Sequence, residues 1–180
     1  MFISQENLVI RSATPADAQT LCDWWNDGSV MVHVGYPNGL GTTPQAVLND
    51  LNTWKAGSDL LILEIDKVPV GEMNYQMVND GVAEIHIKIC RGDFQDKGYG
   101  TRFTKMLIRH LFSELGFRKI ILDTNLKNTR AQHVYEQMGF KRVRVNIDVW
   151  KDQLGVPQTS IDYELTHEDF RSQNGEPSVD

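Results

Sequence analysis

The 180-residue chain is poor in cysteine: Cys22 and Cys90 form no CxxC pair and no cluster at metal-ligand spacing. Neither a disulfide framework nor a metal site is expected, and a reducing cytoplasm is the expected setting. No run approaches the roughly 18–20 apolar residues that span a bilayer. The opening MFISQENLVIR lacks the basic and long apolar regions of a signal peptide, so no membrane partner is expected. Positive charge is also short. With 18 Lys+Arg against 24 Asp+Glu the formal net charge is −6, which argues against binding the phosphates of nucleic acid. There is no internal repeat and no low-complexity segment.

What remains is 41% hydrophobic and 23% charged, the composition of a globular chain long enough for one domain with a buried core. Its charge is unevenly spread. Residues 1–90 hold 4 basic and 11 acidic side chains, residues 91–151 hold 13 and 6, and residues 152–180 hold 1 and 7. A basic middle therefore lies between two acidic flanks.

Apolar runs and turn signals divide the chain. LVIRSA (8–13) fits a strand, and Thr14-Pro15-Ala16-Asp17 is a helix start, with Thr at the N-cap and Pro at the first helical position. Residues 33–42 are rich in Gly and Pro, hence a loop, and a second helix opens at Thr43-Pro44 and runs to about Lys55. Strands follow at 60–65, 70–78 and 82–90, the last two joined by the hairpin signal Asn79-Asp80-Gly81. Helical spacing covers 98–115 and 128–138, with a strand at 119–124 between them and two more at 140–150 and 159–166. Residues 167–180 carry no apolar periodicity and are expected to form a polar C-terminal tail after a domain spanning 1–166. This order predicts an α/β (α+β mixed) fold: one mixed, mostly antiparallel sheet of about seven strands flanked by about four helices.

The most informative segment is AEIHIKICRGDFQDKGYGTRF (83–103), a strand, a short loop and a helix start. Glycines admit a ligand close to the backbone, and free N–H groups at a helix N-terminus favour anionic oxygens. Gln95, Asp96, Lys97, Gly98, Tyr99, Gly100 and Thr101 thus read as a pyrophosphate cradle, with Lys97 and Arg102 adding positive charge. A P-loop is excluded because no Lys-Ser/Thr follows the second glycine. A dinucleotide fingerprint lacks its third small residue, since Phe103 stands there.

Q-x-x-G-x-G at a helix start after a strand resembles the acyl-CoA pyrophosphate motif of the GNAT superfamily of N-acetyltransferases. AEI, followed eleven positions after its Glu by QxxGYGT, resembles the histone acetyltransferase branch. Downstream, Asn128-Thr129-Arg130-Ala131, Tyr135-Glu136 and Gly139-Phe140 resemble a second signature, N-x-x-A-x-x-x-Y-E-x-x-G-F. The opening LVIR-x-A-x-x-x-D and W-x-N-D resemble the branch of ribosomal-protein N-terminal and aminoglycoside 6′-N-acetyltransferases. The resemblance implies an acyl-CoA N-acyltransferase fold, acetyl-CoA as co-substrate without a metal, and an amine acceptor. It also implies roles. Glu84 is the general base, and Tyr135 is the general acid at the CoA sulfur. A backbone N–H of Lys88, Ile89 or Cys90 stabilises the carbonyl oxygen, and Gln95 to Thr101 together with Asn128 bind the cofactor. A homodimer paired through 140–166 follows only by family analogy.

The chemistry makes matching demands. The amine must lose a proton, negative charge on the carbonyl oxygen must be stabilised, and the leaving thiolate gains from a proton donor. His86, on the same strand face as Glu84, is the second candidate base. Glu72 is third, because a tight hairpin would turn it to the opposite face, and a water relay needs no base at all. A buried strand cysteine such as Cys90 is expected to be inert. For the acceptor, a peptide or small-molecule amine, the architecture implies a pocket from the first helices and the 33–42 loop. Trp24, Trp25, His33, Tyr36 and Trp54 lie there with Asp23, Asp27 and Asp50, a mixture suited to a cation such as an aminoglycoside, polyamine or protein N-terminus. A non-catalytic CoA-binding module is the competing class.

Overall fold

The structure, a computed structural model, describes residues 1–54 and 56–173. Its framework is one eight-stranded sheet in the order β1-β2-β3-β4-β5-β6-β8-β7. The strands are β1 (Phe2–Gln5), β2 (Leu8–Ser12), β3 (Ser58–Ile65), β4 (Val68–Asn79), β5 (Val82–Ile89), β6 (Lys119–Asn125), β7 (Lys141–Lys151) and β8 (Pro157–Thr166). Among the described residues six α-helices accompany it: α1 (Ala18–Asn26), α2 (Gly28–Met31), α3 (Pro44–Leu51), α4 (Tyr99–Ser113), α5 (Thr129–Gln137) and α6 (His167–Gln173). The expected mixed, mostly antiparallel sheet is present, with one more strand than expected and two more helices. The extra strand, β1, is mostly exposed and polar, so no apolar alternation announces it.

At β3 both faces of the sheet are buried, which is why this strand reads as the mainly apolar run LLILEI. Leu61, Leu63 and Ile65 enter the larger core with Phe103, Leu107 and Leu111 of α4, while Leu60 and Ile62 pack with Leu21 of α1 and Val47 of α3. Thr14 stands at the N-cap as expected, its N–H and hydroxyl donating to Asp17 Oδ2 at 2.8 and 2.9 Å, and buried Asp17 also takes two bonds from the Arg11 guanidinium at 2.7 and 2.8 Å. Burial opposes ionisation of Asp17, but the Arg11 and Thr14 bonds outweigh it and hold the carboxyl below its usual range.

Two expectations are corrected here. Helix α3 stops at Leu51 instead of running to about residue 55, and Lys55 lies outside the described residues. Residues 167–173 are not a frayed tail: α6 buries Phe170 against Phe112, a contact that one aromatic in a polar heptapeptide does not reveal as a period. Residues 174–180 lie outside the described part.

The feature that positions the site is the β5–β6 pair. It is the sheet's parallel junction, and it is paired only from Val82–Lys119 to Glu84–Ile121. Beyond Glu84 the two strands separate.

Candidate active site

The separation opens a cleft of about 960 Å³. Its walls are β5 and β6, the start of α4, the start of α5, the α2 region and the far end of β7. At its α4 end Gly98 holds the N-cap at φ +76°, a left-handed conformation that only glycine adopts without strain. The first-turn N–H groups of Tyr99, Gly100 and Thr101 have no intrahelical acceptor. A Cβ built on Gly98 meets nothing within 4 Å. Here the residues present fit the anionic pyrophosphate of CoA. Gln95 fastens this loop to the end of β5 by donating to the Ile89 carbonyl at 2.8 Å.

Of the residues that the resemblance assigns to the cofactor, Lys88, Ile89, Gln95, Asp96, Gly98, Tyr99, Gly100, Thr101 and Asn128 line the cleft. Lys97 and Cys90 do not. Cys90 is buried in the smaller core, and its N–H donates to the Val70 carbonyl at 2.9 Å. Burial, reinforced by the nearby Glu72 charge, pushes its thiol pKa up, so it is a poor nucleophile. Because Cys90 bonds toward β4, the alternation of an antiparallel ladder turns the N–H of Lys88 the same way and that of Ile89 toward the split. Of the three candidate amide donors, Ile89 alone faces the cleft.

Tyr135 lines the cleft from α5, a helix capped by Asn128, whose Oδ1 accepts from the Ala131 N–H at 3.2 Å. Its ring packs edge-on against Phe140 and Tyr163. Burial, with Asp123 and Tyr163 nearby, pushes its phenol up to about 12, so it stays protonated at neutral pH. The adjacent Glu136 does different work: it accepts from Arg142 and from the Tyr163 hydroxyl, tying α5 to β7 and β8.

The three candidate bases share one face, which corrects the expectation for Glu72. The register passes from Asn79↔Val82 to Met77↔Ala83, so Val78 is an extra residue in β4. One inserted residue reverses the facing of everything beyond it. Glu72, Asn74 and Gln76 therefore stand opposite Lys88, His86 and Glu84. Glu72 is buried, accepts from the Trp25 indole N–H with both oxygens at 3.0 Å, and pairs with Lys88 at 2.6 Å. Glu84 is not among the cleft-lining residues and accepts from Gln76 at 2.7 Å. His86 does line the cleft. Its Nδ1 is 3.3 Å from Asn74 Oδ1 and its Nε2 is 3.5 Å from Asp123 Oδ1. Ligand atoms of Glu84, His86 and Asp123 lie within 4.8 Å of one another, a group suited to relaying a proton and also able to accept a cation.

The acceptor expectations fare unevenly. His33 lines the cleft, whereas Trp24, Trp25, Tyr36, Trp54, Asp23, Asp27 and Asp50 do not. Trp24 is in the core, Trp25 holds Glu72, and Asp27 caps α2 by accepting from Ser29. Sequence reasoning missed Trp150, which lies far along the chain and reaches the cleft from the end of β7.

Comparison with known proteins bears on the family and the fold. A family profile described as "Acetyltransferase (GNAT) domain" matches residues 7–141. A mycothiol acetyltransferase of Cellulomonas flavigena is 34% identical over 76 residues, 42% of this chain and only 22% of that protein's length. A spermidine N-acetyltransferase from Vibrio cholerae, solved with CoA and spermine, superposes with a TM-score of 0.83 at 18% identity, over 92% of this chain and 99% of that one. RimL, a ribosomal L7/L12 alpha-N-protein acetyltransferase solved with CoA, gives 0.79 at 13% identity, over 92% and 98%. At such identities these likenesses concern the fold.

Proposed function

Since the chain belongs to the GNAT acetyltransferase family, we propose that its cleft moves the acetyl group of acetyl-CoA directly onto a primary amine that arrives as a cation. The observation that carries this reading is the β5–β6 split, with an anion-binding helix start at one end and His86 and Tyr135 on its walls.

The amine must first become neutral. His86 lines the cleft and takes the proton, and Asp123 Oδ1, 3.5 Å from its Nε2, stands ready to pair with the imidazolium that forms. In this reading Glu84, the base by family resemblance, is a positioning residue one register step behind. The neutral amine attacks the thioester carbonyl, and the N–H of Ile89 is the donor aimed at the charge growing on oxygen. As the C–S bond breaks, the Tyr135 hydroxyl supplies a proton to the departing sulfur. The ammonium gives up two protons in becoming an amide: His86 takes the first before attack, and the second leaves the nitrogen as the intermediate collapses and replaces the one Tyr135 gave to sulfur, so the products are an amide, free CoA and one proton released to solvent. Cys90 takes no part.

The test is the pH dependence of thiol release. His86→Gln removes the acidic limb of the kcat/KM profile, whereas Glu84→Gln leaves a limb in place. The reverse pattern returns the base to Glu84. Acetyl-CoA binding without turnover on any amine identifies a binding module instead.

A further inference from the structure

Resting on the acetyl-transfer reading, the walls of the cleft narrow the acceptor. Three carboxylates line it: Glu72, Asp96 and Asp123. Two already face a cation: Glu72 pairs with Lys88 at 2.6 Å, and Asp96 pairs with Arg130. The third, Asp123, is 3.5 Å from His86, the group that takes the amine's proton. A polycation entering this cleft therefore finds one cleft-lining carboxylate, at the transfer point, and none without a cationic partner for a second ammonium. The acidic residues of the acceptor elements, Asp23, Asp27 and Asp50, do not line the cleft.

Trp150 is the tryptophan among the cleft-lining residues, and it is built in. Its ring lies on Gly35, where an added Cβ would come within 2.4 Å of Trp150 Cζ3. Gly35 has φ +96°, so glycine is required there on two counts. Three residues further on, Gln153 clasps the same loop: its N–H donates to the Gly35 carbonyl at 2.7 Å, its Nε2 donates to the Gly39 carbonyl at 3.0 Å, and its Oε1 accepts from the Asn38 N–H at 2.9 Å. The turn between β7 and β8 is thus fastened to the 33–42 loop with Trp150 held between them. Among the described residues the Trp150 indole N–H has no hydrogen-bond partner. An aromatic face fixed in this way suits one ammonium, or the planar or apolar group next to it.

We propose that the acceptor is a primary amine of single positive charge, carried next to a planar or apolar group that seats against Trp150, and not a polycation. Such an amine can come from a small arylalkylamine or from the N-terminus of a neutral peptide, and the experiment separates the two.

Thiol release is measured with acetyl-CoA and four probes: phenethylamine, a neutral tetrapeptide amide, spermidine and kanamycin. The expected result is kcat/KM at least about tenfold higher for one of the first two than for either polycation, equivalent to about 1.4 kcal/mol. Trp150→Leu raises KM for the preferred amine without raising KM for acetyl-CoA, and Trp150→Phe restores most of the loss. Lys88→Gln, which frees Glu72, moves preference toward spermidine. Spermidine or kanamycin outrunning both monoamines overturns this proposal alone. No release with any amine overturns the acetyl-transfer reading and this one with it.

Discussion

Glu72 stands directly opposite Lys88 in the β4–β5 ladder, and the two side chains meet at 2.6 Å inside the cleft. This contact exists because Val78 adds one residue to β4; without the bulge Glu72 would face away from Lys88. The pair is buried on the carboxylate side, and the Trp25 indole N–H is shared between both Glu72 oxygens. Removing one partner therefore leaves an uncompensated charge or donor. Glu72→Gln is expected to cost about 3 kcal/mol, while the double replacement Glu72→Met with Lys88→Met costs less. Urea unfolding of the two variants checks the inequality.

Gly98 and Gly100 respond differently to a methyl group. Gly98→Ala meets no atom but must hold φ +76°, so it destabilises the protein by about 1–2 kcal/mol. Gly100→Ala makes only an ordinary contact, 3.8 Å from Ile89 Cγ1, and leaves unfolding unchanged. Its cost is expected on KM for acetyl-CoA, because in the proposed cradle the backbone at this position approaches the pyrophosphate. Thermal unfolding paired with steady-state kinetics separates the two effects.

Much of this was legible beforehand for a local reason. The strand before the glycine loop, Gly98 and Gly100 at the helix start, and Asn128 through Tyr135 lie in continuous segments whose spacing carries their geometry. The rest depends on distant or single-residue events. The bulge at Val78 leaves no periodic mark, because the residues around it are exposed at the far end of β4. Trp150 lines the cleft beside a turn that Gln153 fastens to a loop more than a hundred positions earlier. Cys90 is no donor to the cleft because its N–H bonds to the Val70 carbonyl, a cross-strand contact that no local pattern marks.

Cys90→Ser is expected to keep most of the activity. The thiol is buried with its pKa pushed up, and the proposed transfer passes no acetyl group through the enzyme. Intact-protein mass spectrometry after mixing with acetyl-CoA should show no acetyl adduct at Cys90, and an adduct that chases into product would contradict the direct route.

Asp17 links stability to acid. Its carboxyl is held below the usual range, so the stabilisation is present above the unfolded-state value and is lost as pH falls through the folded one. Asp17→Asn should reduce stability at neutral pH and flatten the decline below about pH 4. Chemical unfolding followed between acid and neutral pH gives both slopes.

The central claim is that Tyr135 protonates the sulfur of the departing CoA, and Tyr135→Phe with two thioesters tests it most directly. The variant loses the proton donor while the ring keeps its packing against Phe140 and Tyr163. The account predicts a fall in kcat of about 100-fold with acetyl-CoA and little change in its KM. It also predicts a much smaller fall with an acetyl thioester whose thiol is more acidic and leaves without help. An equal loss with both thioesters, or no loss with acetyl-CoA, would contradict it.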